Sequence, residues 1–197
     1  MEKKKRVVVK PGYIYQIKIN DREKCYLQSL GRDIELLNSD YIRVFKTRYP
    51  IEASPEMSEI VSDEVLFYGH AFVSFLVKEG SIEKVGKSDE FGLDDLLKVG
   101  FFGPIKEMVV ENGRQIIYRY VHRYNGELYL TTFEPAEGIS KYVECSMTYT
   151  SNSIVYRINN GRTQFDRYAN DIETYELGCK SRLASERYWA NQKDGAK

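Results

Sequence analysis

The chain has 197 residues, 42% of them hydrophobic and 29% charged, with 29 Lys plus Arg against 29 Asp plus Glu. That apolar content suffices for one packed domain and excludes a chain disordered throughout or a fibrous repeat. Zero net charge supplies no long-range field toward a polyanion, so no nucleic-acid partner is expected, while 16 Tyr and 9 Phe against one Trp favour strands.

The basic opening Met1 to Arg6 is followed only by Val7, Val8 and Val9 before Lys10 and Pro11. This falls short of the apolar core of a signal peptide, and no stretch reaches the roughly 20 apolar residues of a membrane span. Cys25, Cys145 and Cys179 are odd in number and contain no Cys-x-x-Cys pair, which suits a reducing compartment. The expectation is a cytoplasmic protein without a membrane partner.

Tyr13, Tyr15, Ile17 and Ile19 alternate with Gln16, Lys18 and Asn20, the pattern of a half-buried strand. Asp21 and Arg22 turn the chain into a strand over Lys24 to Leu30. Gly31-Arg32-Asp33 then lead to short strands near Ile34 to Leu37 and Tyr41 to Lys46. Connections this short require antiparallel neighbours. Ser54-Pro55 predicts a short helix start, with Met57, Ile60 and Val61 on one face. Val65 to Val77, interrupted by Gly69-His70, suits a central strand covered on both faces, and Leu93, Leu96 and Leu97 have helical spacing.

Asn112-Gly113 and Asn125-Gly126 both predict two-residue hairpin turns, because a type I′ turn needs positive φ at both central positions. Together they define a three-stranded meander. Closure of the second turn on Tyr124 and Glu127 pairs His122 with Tyr129, Tyr120 with Thr131 and Tyr118 with Phe133 on one face. That aromatic face either packs half buried under a helix or loop, or binds a partner. Ser153 to Asn159 reads as a strand or a short helix closed by Asn160-Gly161. Beyond about Thr163, Phe165, Tyr168, Ile172 and Tyr175 are spaced like a helix face in a tail that docks on the domain or pairs two copies into a homodimer.

Gly80 to Ser88 approaches a phosphate-binding loop, but it has five residues between its glycines where the motif needs four, and Asp89-Glu90 follow. Only His70 and His122 could serve as histidine bases or metal ligands, and neither has ligand spacing. Cys-His catalysis would need one of them beside a Cys with an orienting third group. No catalytic residue, metal or cofactor is therefore expected.

Lys10-Pro11-Gly12-Tyr13-Ile14-Tyr15-Gln16-Ile17 resembles the glycine-led first strand of the immunity protein 26 family, found beside bacterial polymorphic toxins. Val65-Leu66-Phe67 resembles its central segment, and Gly80 to Gly86 its Gly-x-Trp-x-x-aliphatic-Gly spacing, with Ile82 in place of Trp. Val155-Tyr156-Arg157-Ile158 with Gly161-Arg162 is similar to its closing segment. The likeness runs from Lys10 to Arg162. It implies a mainly β domain that protects its host by binding a cognate toxin domain.

The expectations are these: an α+β, mainly β fold, as a strongly twisted antiparallel sheet or partly open barrel with short helices; a domain over 1–163; and a helical or partly disordered tail over 164–197. The chain is expected to be a non-enzymatic immunity protein that binds its toxin stoichiometrically, with Tyr118, Tyr120, His122, Tyr124 and Tyr129 as the contact face. Two rival readings are a β barrel that stacks single-stranded nucleic acid on the same tyrosines, helped by Arg114, Arg119 and Arg123, and a small hydrolase using His70 or His122.

Overall fold

The computed structural model describes residues 6–34, 37–92, 99–111, 114–123, 128–132, 143–145 and 148–161, and between 100 and 147 it describes the side chain of Phe101 alone. The elements in chain order are β1 (Tyr13–Lys18), β2 (Glu23–Asp33), β3 (Ser39–Phe45), β4 (Tyr49–Pro50), α1 (Met57–Ser62), β5 (Val65–Ala71), α2 (Val73–Lys78) and β6 (Ile82–Lys87). They continue with β7 (Gly100–Glu111), β8 (Arg114–Arg123), β9 (Leu128–Thr132), β10 (Val143–Cys145), β11 (Thr148–Tyr149) and α3 (Ser151–Asn160).

Backbone contacts divide the chain into two compact units, Met1–Leu93 with Met147–Gln164, and Asp94–Ser146 with Phe165–Lys197. The segment Asp94–Ser146 of the second unit lies in the chain between β6 and β11 of the first.

The first unit is a seven-stranded sheet in the order β11-β5-β3-β2-β1-β6, with β4 also paired to β2. Its ends do not pair among the described residues, so it is an open sheet and not a barrel. It is mixed, because β11 runs parallel to β5 while the other pairs are antiparallel. The β1–β2 turn is held by Asn20, whose Oδ1 accepts from the amides of Arg22 and Glu23 at 2.8 and 2.9 Å.

Alternation sorts the core onto two faces. Tyr15, Ile17, Leu27, Ile42, Val44 and Phe67 pack with Val73 and Leu76 of α2 and Ile154 and Ile158 of α3. Ile14, Tyr26 and Phe45, on the opposite face, pack with Ile60 and Val61 of α1. Each such aliphatic side chain, fully buried, contributes about 1.5–3 kcal/mol.

Four local expectations are corrected. The run Val65 to Val77 is not one strand, because β5 ends at Ala71 and α2 begins at Val73. Val73, Leu76 and Val77 have the i, i+3, i+4 spacing of a helix face, and Asp40 Oδ2 accepts the amide of Val73 at 3.2 Å, serving one free amide of the first turn. Gly31 does not end β2. At φ 128 it carries the strand through a bulge between Ser29 and Gly31 and on to Asp33, and Ile34 and Leu37 are not in a strand. Helix α1 starts after Glu56, which makes no side-chain cap, and not at Ser54.

The segment after Tyr149 is a helix. Thr150 and Ser153 form a reciprocal capping box, and Gly161 ends the helix at φ 70. The near phosphate loop is a turn at Gly80 leading into β6. Leu93, Leu96, Leu97 and the tail from Arg162 lie outside the described residues.

The second unit holds a four-stranded sheet in the order β10-β7-β8-β9. Strands β7 and β8 pair Glu111 with Arg114, the closure a two-residue turn requires. Strand β10 runs parallel to β7.

Candidate functional site

Tyr118, Tyr120 and His122 occupy alternate positions of β8 and lie opposite Thr132, Leu130 and Leu128. Tyr129 lies opposite Val121. The β8–β9 connection is therefore not the two-residue Asn125-Gly126 turn expected, and the odd offset moves Tyr129 to the other face of the sheet. Tyr124 lies outside the described residues. Three of the five predicted contact residues thus share a strand face. At its β7 end that face holds Phe101, opposite His122 and fully buried.

In the first unit the sheet face above Ile14 carries a buried polar row. The register sets Gln28 beside Arg43 and Arg43 beside Tyr68. Arg43 is 5% exposed; its Nε donates to Gln28 Oε1 at 2.8 Å and its Nη2 to the Glu90 carbonyl at 2.7 Å. Gln28 Nε2 donates to the carbonyls of Ser88 and Gly12 at 3.3 and 3.4 Å. These bonds hold residues 88–90 down on the sheet.

One row on, Tyr41 lies opposite His70, and the two rings sit 4.4 Å apart. His70 Nε2 lies 3.0 Å from Asp33 Oδ2, with side-chain exposures of 0% and 2%. A histidine-carboxylate pair of this kind is the core of a general base, and here both side chains are buried. Among the described residues no three metal-ligating side chains converge.

Cys25 is equally enclosed. Its Sγ donates to the Phe45 carbonyl at 2.9 Å, and burial, with Asp63 adding, pushes the thiol up to about 12 against the opposing pull of the Tyr26 backbone and Arg48. Such a thiol is not a nucleophile at neutral pH.

What the first unit does present is apolar. Ile34, Phe72 and Phe75 are 75%, 48% and 60% exposed. The pairings of Asp33 with Ser39 and of Asp40 with Ala71 bring the ends of β2 and β5 to the same end of the sheet, so Ile34 and Phe72 leave it together. Phe75 follows one turn along α2, its amide bonded to the Phe72 carbonyl at 2.9 Å. Arg32 and Asp40, paired across β2 and β3, supply charge beside them. Burial lifts the Asp40 carboxyl above its usual range, against the Val73 amide and Arg32.

Phe72 and Phe75 lie within an apolar run, Val65 to Val77, that reads as one strand from the sequence alone. The helical spacing of Val73, Leu76 and Val77 is the signal that would have separated them. No family model, curated protein or solved structure matches the chain. No described helix is long and apolar enough to cross a membrane.

Proposed function

We propose that this chain acts by binding another protein, as the immunity reading implies, covering a cognate toxin domain in a stoichiometric complex without making or breaking bonds. The observation that carries this is the set of exposed apolar side chains at one end of the first sheet, Ile34, Phe72 and Phe75, with Arg32 and Asp40 beside them. Aromatic anchors with a polar rim are the usual makeup of a protein contact. The enclosure of His70, Asp33 and Cys25 supports the same reading, since the reactive groups described serve the interior.

The reading expects a toxin domain encoded immediately upstream, and the test is co-expression with it, together with light scattering of the mixed proteins. The parent chain restores growth and forms a 1:1 complex. Phe72→Asp with Phe75→Asp leaves Val73 and Leu76 in the core, keeps the circular dichroism of the parent, and weakens the complex at least tenfold. Absence of both rescue and complex refutes the function. Loss of binding in Tyr118→Ala with Tyr120→Ala, while the Phe72 and Phe75 variant still binds, refutes the placement of the contact.

A further inference from the structure

The exposed end of the first sheet is not wholly apolar. Asp40 stands at this same end, paired with Arg32 on one side and with Ala71 on the other, and Ala71 is followed directly by Phe72. Its carboxylate lies against the start of α2, where Oδ2 accepts the amide of Val73 at 3.2 Å. Phe72, the residue that precedes α2, makes no side-chain cap, and no acidic residue occupies the first turn. Asp40 is thus fixed to the helix that carries the exposed rings of Phe72 and Phe75, and it is only half-buried itself.

The carboxylate has little cationic company. Arg32 is its neighbour on β2, yet Arg32 Nε and Nη2 both donate to Asn38 Oδ1, at 3.1 and 2.9 Å, and Nη2 donates again to the Asn38 carbonyl at 3.3 Å. Among the described residues no ion pair includes Asp40. One amide and the field of Arg32 are what favour its charge, and dehydration already outweighs both, which is why the carboxyl titrates above its usual range.

A protein seated on Ile34, Phe72 and Phe75 would dehydrate this carboxylate further. A charge covered without a counter-charge costs affinity, whereas a charge met by a cation from across the interface sets specificity and register. A wholly apolar partner is therefore the wrong fit. We propose that the surface formed by Ile34, Phe72, Phe75 and Asp40 selects a basic-apolar segment of its protein partner, which places an Arg or Lys on the Asp40 carboxylate and apolar side chains on the two rings. This rests on the reading that the Phe72 end is the contact, and it names the chemistry that the contact accepts.

The test needs no toxin. Displayed random peptides are selected on the full chain, and those that also bind the Phe72→Asp with Phe75→Asp variant are discarded. The retained sequences carry Arg or Lys among aliphatic or aromatic residues. One of them, synthesised with a fluorescein label, is then titrated by fluorescence anisotropy. Asp40→Asn keeps an oxygen for the Val73 amide but not the charge, and it weakens the peptide about 30-fold. Replacing the basic residue of the peptide by Gln weakens it by the same factor, and the two changes together cost little more than either alone. The peptide change leaves the chain untouched, so it decides the matter if Asp40→Asn disturbs α2. Glu56→Gln removes the same charge beside α1, on the opposite face of the sheet, and binds within twofold of the parent.

Retained peptides that are acidic or uncharged, or the failure to retain any, overturn the proposal. So does an Asp40→Asn variant that binds as tightly as the parent or tighter, since the carboxylate would then be a cost that no cation meets. The toxin rescue is a separate measurement. A chain that selects basic peptides and rescues no cells keeps this site and loses the immunity reading, while rescue without selection of basic peptides does the reverse.

Discussion

Alkaline pH should strip stability from the first unit, and Cys25 makes the loss calculable. Its thiol is fully buried, and burial raises it from 9.0 to about 12. A group of this kind keeps its proton in the folded chain while the unfolded chain gives it up. The Cys25 contribution is therefore intact below pH 9.0 and drains away as pH rises toward about 12. Each unit of difference is worth ~1.4 kcal/mol, so by pH 11 the loss from this one group is roughly 2–3 kcal/mol, a large part of the 5–15 kcal/mol typical of a domain. The assay is urea unfolding followed by circular dichroism at pH 8 and pH 11, under reducing conditions, for the parent and for Cys25→Ala. The variant has its own stability at pH 8, but the parent should lose roughly 2–3 kcal/mol more than the variant between the two pH values. Equal losses would refute the argument, since the thiol would then ionise alike in both states.

Two further substitutions probe the same core. Tyr15 has a buried hydroxyl with no hydrogen-bond partner among the described residues, and burial, with Asp40 and Tyr13 adding, holds its phenol well above the ordinary value; Tyr15→Phe should stabilise the chain by about 1 kcal/mol in urea unfolding, and a loss of that size would reveal a bond to the hydroxyl. At Gly69 a Cβ would lie 2.8 and 2.9 Å from ring atoms of Tyr149, whose hydroxyl accepts from Arg157 Nη1 at 2.5 Å. Gly69→Ala should therefore destabilise by about 1–3 kcal/mol, and a melting temperature equal to the parent's would mean that the ring gives way.

The sequence made legible those features that depend on local pattern. The alternation from Tyr13 to Ile19 announced β1, and the Asn112-Gly113 signal anticipated the register of β7 and β8. The mainly β, α+β class followed from closely spaced strands without room for crossovers. What stayed hidden turns on parity or on distant partners. An apolar run does not say where a strand becomes a helix; the decision rests with Asp40, which accepts the amide of Val73 from 33 residues away. Gly31 looked like a stop because a bulge and a turn draw on the same residue. The second hairpin failed by a single position, and with a period of two that is enough to exchange the partners of every residue in β9. Likewise Asp33 reads as a turn residue until the fold sets it against His70.

The position of β11 and α3 has a consequence for synthesis. The first sheet reaches Lys87 and is then interrupted for 60 residues before Thr148, yet Tyr149, Ile154 and Ile158 belong to its core. At about 5–20 residues per second the ribosome takes roughly 3–12 s over that interval. Throughout it the nascent sheet shows Phe67, Val73 and Leu76 to solvent without their final cover. The last pieces of the first unit must then return to an edge that has been waiting. Slowing translation of this interval would therefore be felt as aggregation during synthesis before it was felt in the finished molecule.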